Sequence, residues 1–174
     1  MKIQDLPFLP RYFDGYIARI PKDLDLSAAF AQFSPEMVFD DISTLVKLGD
    51  RVYAPGKWTV RDILQHCIDT ERIMTYRSLC ISRGETVSLP GFSEDLYAQN
   101  TVAGMRTVED LLDEYRAVRQ ATQALFRHMN ATMLLREGEA NGIRITPLAL
   151  AFMVLGHAVH HGSVLAERYY PLLG

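Results

Sequence analysis

From Leu26 to about Leu48 the apolar residues Ala28, Phe30, Phe33, Val38, Phe39, Ile42, Leu45 and Val46 recur at helical spacing and predict a first helix. Ser34 and Pro35 offer a fresh N-cap and first-turn proline that would split it, and Gly49 ends it. A second stripe, Val60, Ile63, Leu64, Cys67, Met74 and Ile81, starts after Thr59, whose pairing with Asp62 resembles a capping box, and closes at Gly84. A third follows Thr107 and Asp110, runs through Val108, Leu111, Leu112, Tyr115, Val118, Leu125, Phe126 and Met129, and ends near Asn130. Thr146 and Pro147 suit the cap and first turn of a fourth helix reaching about Tyr169, with Pro171 beyond. Between these stripes, Glu85 to Arg106 holds Pro90, Gly91 and Gly104 with little periodicity and reads as a long crossing loop. Met133 to Ile145, with Gly138 and Asn141-Gly142, reads as a small hairpin or an irregular link. Residues 1–25 carry Pro7, Pro10 and Pro21 around Tyr12, Phe13 and Tyr16, the pattern of a partly helical N-terminal arm packed on the body. Four such helices and one long crossover predict an all-α four-helix bundle.

At 174 residues and 48% hydrophobic, the chain suits one domain, 1–174, with a sizeable core. A net charge of -3 with 18 scattered Lys and Arg argues against a nucleic-acid partner. The amino terminus lacks an apolar signal region, and the most apolar stretch, Pro147 to Gly156, is too short to cross a bilayer before the histidines begin, so a cytoplasmic address without a membrane partner is expected. Cys67 and Cys80 share one predicted helix, roughly 20 Å apart at the helical rise, which rules out a mutual disulfide.

The chemistry concentrates in histidine. His157 and His161 lie four residues apart within a long apolar segment, so their rings share one helix face and can share one ion. Neutral imidazole suits a divalent transition metal, and a buried ring needs a partner for its nitrogens. His66, on the flank of the second stripe, is the third candidate ligand; three imidazoles from two helices leave a coordination position open for water or substrate. His160 is turned away from the pair, toward the edge of such a site, and His128 reads as a packing residue. Glu71 projects near the centre of its helix's apolar stripe, where it is either a catalytic or ligand-orienting carboxylate or one half of a buried pair with Arg77, Arg119 or Arg168. Ala158 follows His157, so the His-Glu-x-x-His protease motif is not present.

The run from Tyr53 through Gly56, Lys57, Trp58 and Thr59 to His66, then Glu71-Arg72, Tyr76-Arg77, Gly84-Glu85, Leu89 to Phe92 and Gly156 to His161, resembles the DinB and YfiT-like superfamily of metalloenzymes from about residue 27 onward. That resemblance implies an up-down-down-up bundle in which His66, His157 and His161 bind a divalent ion, commonly nickel or zinc. It also implies a homodimer, and a transferase acting on a small-molecule substrate with a low-molecular-weight thiol such as bacillithiol, mycothiol or glutathione as cosubstrate. Arg77 or Arg168 would then neutralise a substrate carboxylate, and Glu71 or His160 would move protons. A metal-dependent hydrolase and a non-catalytic, stress-related metal-binding bundle are the alternatives.

Overall fold

The computed structural model describes all 174 residues. After a 3-10 turn at Ile3–Asp5, the helices are α1 (Asp14–Ile17), α2 (Leu26–Gln32), α3 (Pro35–Val38), α4 (Ile42–Leu48), α5 (Val60–Ser82), α6 (Glu94–Gln99), α7 (Val108–Arg127) and α8 (Ala131–Leu134). A hairpin, β1 (Gly138–Ala140) and β2 (Ile143–Ile145), leads into α9 (Pro147–Val164), which continues as a π-helical turn, Leu165–Tyr169, and a 3-10 turn, Tyr170–Leu173.

The first bundle helix is three pieces rather than one. Pro35 bars the preceding residue from helical geometry, and Ser34 accordingly sits at φ -67°, ψ 157°. A second restart follows at Asp41, whose side chain accepts the Thr44 N–H at 3.1 Å. The other long helices start where their caps predict. Thr59 and Asp62 exchange both bonds of a capping box, at 2.9 and 3.2 Å, and Thr146 accepts from the Ala149 N–H at 3.2 Å ahead of Pro147.

Contacts along the helices set their directions. Gln65 meets Arg106, Glu71 meets Arg119 and Thr75 meets Thr122, numbers that rise together, so α5 and α7 are parallel. His66 meets His157, and Trp58 meets Tyr169, so α9 runs antiparallel to α5. Phe30 and Phe33 offer carbonyls to Gln123 and Arg119, and Glu36 pairs with Arg116, which sets the first, segmented helix antiparallel to α7. The order is therefore up-down-down-up, and the long 85–106 crossover is what lets two consecutive helices run the same way.

That crossover is more structured than its composition predicts. It contains α6, capped by Ser93 onto the Leu96 N–H at 3.2 Å, and a 3-10 turn at Ala103–Met105. No residue of α6 is buried, so no apolar stripe announces it. The link before α9 resolves as the hairpin, with Ala140 opposite Ile143. Asn141 and Gly142 have φ of 53° and 73°, as a two-residue turn between right-twisted strands requires. Leu89 of the crossover bonds Glu139 and Asn141 of the hairpin at 3.0 and 2.8 Å, tying the two connections together.

The apolar core falls into two clusters. One surrounds the first half of α9, from Leu148 to Leu155, with Ile17 and Ile20 of the arm, Met74, Ile81 and Phe126. The other gathers Leu45, Leu64, Cys67, Ile68, Leu111, Tyr115, Ala158 and Leu165. Helix α9 with its terminal turns, Pro147–Leu173, is long and apolar enough to cross a membrane, but the 18-residue apolar window within it is 67% buried inside the protein, as in a core helix.

Candidate metal centre

The seam between the two clusters falls between Leu155 and Ala158 on α9 and beside Cys67 on α5, and the histidines occupy it. Nε2 of His66 lies 3.0 Å from Nε2 of His157, and Nε2 of His161 lies 3.2 Å from the same atom. All three donor atoms fall within 4.8 Å of one another. An ion about 2.0–2.1 Å from each nitrogen spaces neighbouring donors by about 3 Å in octahedral and about 3.4 Å in tetrahedral geometry, which the two separations from His157 match; a shared cation would draw His66 and His161 toward each other. The donor chemistry agrees. His157 directs one nitrogen at two other imidazole nitrogens, a meeting of three donors that at most one or two protons can satisfy.

Burial holds all three rings neutral. It pushes His66 down to about 4, against the opposing charge of Asp95, and His161 down to about 3, reinforced by His66. His157, 3% exposed, is displaced well below the usual range by burial and then by its two neighbours. Neutral rings keep the lone pairs a metal needs at neutral pH.

Aromatic walls fix the rings. Trp58 lies 4.8 Å from His66 by ring centroid, and its own carbonyl accepts the Tyr169 hydroxyl at 2.6 Å. On the other side Tyr16 of the arm meets His157 and His160 edge-on at 5.2 and 5.4 Å. The arm approaches this closely because residue 156 is glycine: a Cβ there would fall inside the Tyr16 carbonyl. His161 opens onto a cavity of about 430 Å³ that is also lined by His160, Tyr53, Trp58, Asp95 and Arg168. A cavity of this size holds a small molecule beside His161.

The remaining sequence-predicted residues divide. His160 lines that cavity, and burial, then Arg19 and Arg168, lower its pKa, so it is a neutral base at pH 7. Glu71 does not turn toward the histidines; both of its oxygens are taken by Arg119, at 2.8 to 3.1 Å, and the pair is buried. Burial disfavours the Arg119 charge, but the Glu71 carboxylate outweighs it and holds the guanidinium above its usual pKa. Glu71 is thus the buried-pair option, with Arg119 as the partner. Arg77 lies eleven residues beyond His66, about 16 Å of helical rise away, and donates to the Pro90 carbonyl at 2.7 Å beneath Phe92. It fastens the crossover and does not reach the three histidines.

Tyr16 and Asp95 are near the site without any signal in the sequence pattern. Tyr16 sits in an arm whose only visible order is proline and aromatic content, and Asp95 sits on an exposed helix with no stripe. Trp58 and Tyr53 were legible only through the family resemblance.

No curated protein matches the sequence. Among solved structures the chain is similar to YfiT from Bacillus subtilis, described as a probable metal-dependent hydrolase with an unusual four-helix bundle topology. The two share 17% identity and superpose with a TM-score of 0.71 over 88% of this chain and 92% of the other, a likeness of fold. Residues 25–165 match the DinB superfamily, a span that begins at the cap of α2, ends one residue past α9 and contains all three histidines. The chain belongs to the DinB superfamily.

Proposed function

We propose that the protein is a metal-dependent enzyme that transfers a low-molecular-weight thiol onto a small electrophilic substrate. The observation that carries this reading is a group of three neutral, convergent imidazoles, one of which, His161, lines a cavity of about 430 Å³. A divalent ion, nickel or zinc, would supply a Lewis acid that lowers the pKa of a thiol bound to it. His66, His157 and His161 would hold that ion, Trp58 packs on His66 and Tyr16 on His157, and neutral His160, which lines the cavity, would accept the thiol proton and pass it to solvent. In the transfer the sulfur–carbon bond forms as the bond to the leaving group breaks, and the leaving group departs with the electron pair. The thiol itself, and the homodimer that accompanies this reading, rest on the family resemblance.

Hydrolysis is the second reading, favoured by the description of YfiT and by two potential bases, His160 and Asp95, in the same cavity. The protein reconstituted with nickel or zinc should accelerate conjugation of glutathione or bacillithiol with an aryl chloride, and His157→Ala should abolish it. If an aryl ester or amide is cleaved in a metal-dependent manner and no thiol is consumed, the second reading replaces the first.

A further inference from the structure

Two cations converge on one aromatic ring that lines the cavity. The Arg168 guanidinium lies 5.2 Å from the centroid of Tyr53 and also donates to its hydroxyl at 3.2 Å; the Lys57 ammonium lies 5.9 Å from the same centroid. Lys57, Tyr53 and Arg168 line the cavity onto which His161 opens. Nine ion pairs occur in the protein, and neither cation belongs to any of them. Asp95 lines the same cavity but pairs with neither. Two like charges gathered on one ring repel each other, and an anion between them relieves that repulsion while the ring fixes their positions.

We propose that Lys57 and Arg168, held against Tyr53, form a carboxylate subsite, so that the molecule bound at the metal centre carries its carboxylate at this end of the cavity and its metal-seeking group at the other. This rests on the functional reading above for the metal-seeking group, but not for the carboxylate. The ligand class is a small organic acid with a donor atom several bonds from the carboxylate, a description that a thiol-bearing peptide or amino acid meets.

The test uses cobalt-substituted protein, whose visible absorption changes when a thiol coordinates, titrated with mercaptocarboxylates of increasing length and the mercaptoalcohols that match them. For one chain length the acid should bind about threefold to tenfold more tightly than the alcohol, the range two solvent-exposed ion pairs supply. K57Q/R168Q should abolish that preference while leaving the alcohol's affinity unchanged. Equal affinities for acid and alcohol at every length, or a preference that survives K57Q/R168Q, would overturn the subsite. If no thiol alters the cobalt spectrum, the thiol reading falls and the subsite is decided by butyrate added to zinc-loaded protein under NMR. Butyrate-dependent shifts at residues 53–58 and 168 that vanish in K57Q/R168Q support it, and shifts unchanged by the double substitution, or none at all, reject it.

Discussion

The Glu71 carboxylate gives both oxygens to Arg119, which spends its remaining reach on the Phe33 carbonyl at 2.6 Å. A buried pair of this kind is costly to break and cheap to replace. Glu71→Leu alone strands a buried guanidinium and should cost about 3–5 kcal/mol in urea unfolding, whereas Glu71→Leu with Arg119→Met should cost less than either single change. A double variant as unstable as the sum of the singles would show that the two side chains act independently and that mutual neutralisation is not what they contribute. The histidines make the opposite bargain, burying rings that stay uncharged. Unfolded, each titrates near 6.5; folded, His66 is near 4 and His161 near 3, so the unfolded chain takes up more protons throughout the interval. Stability of the metal-free protein should therefore be full above about pH 6.5 and fall as pH drops from there toward 4, measured as the urea midpoint in the presence of chelator. His66→Gln should flatten part of that slope, and a midpoint that does not change between pH 7 and 5 would mean the rings are solvated.

At the scale of elements, the long helices were legible and the short ones were not, for a physical reason. Helices α5 and α7 bury one face and α9 is buried along most of its length, and burial is what writes an apolar pattern into sequence; α6 buries nothing, so its sequence is free of any stripe and only the Ser93 cap betrays it. Ser93→Ala should accordingly raise amide exchange across residues 94–99 while leaving the global melting temperature within about a degree, because the lost cap acts on a helix the core does not depend on. The arm is the contrasting case. Its residues looked chemically silent, yet α1 lies against α9 at Gly156, one residue before a candidate ligand, and sends Tyr16 onto two histidines. Gly156→Ala would gain helix propensity and still lose about 1–3 kcal/mol, since the new methyl group meets backbone that cannot turn aside. Trypsin should then cut at Arg11 or Arg19 in the variant under conditions where the parent resists.

Across the whole molecule, the candidate centre was readable in part because helical spacing alone brings His157 and His161 together, but nothing local joins either to His66, 91 residues away along the chain. What joins them is the topology: the long crossover makes α5 and α7 parallel, which leaves α9 to run back along α5 and set its histidines against His66. A cation bound there links two helices that the folded state holds together and the unfolded chain does not, so its binding energy becomes folding energy. At free metal about a hundredfold above its dissociation constant the gain is about 2.7 kcal/mol, which for a domain of this size raises the melting temperature by several degrees. Nickel or zinc added to chelator-treated protein should produce that rise with one ion bound per chain, and removal should reverse it. His66→Ala and His157→Ala should each abolish the rise, because each removes a donor from a different helix, while His160→Ala should preserve it, since His160 lies outside the group of three donors. A rise that survives the loss of His66 would mean that the ion is held by α9 alone and does not bridge the bundle.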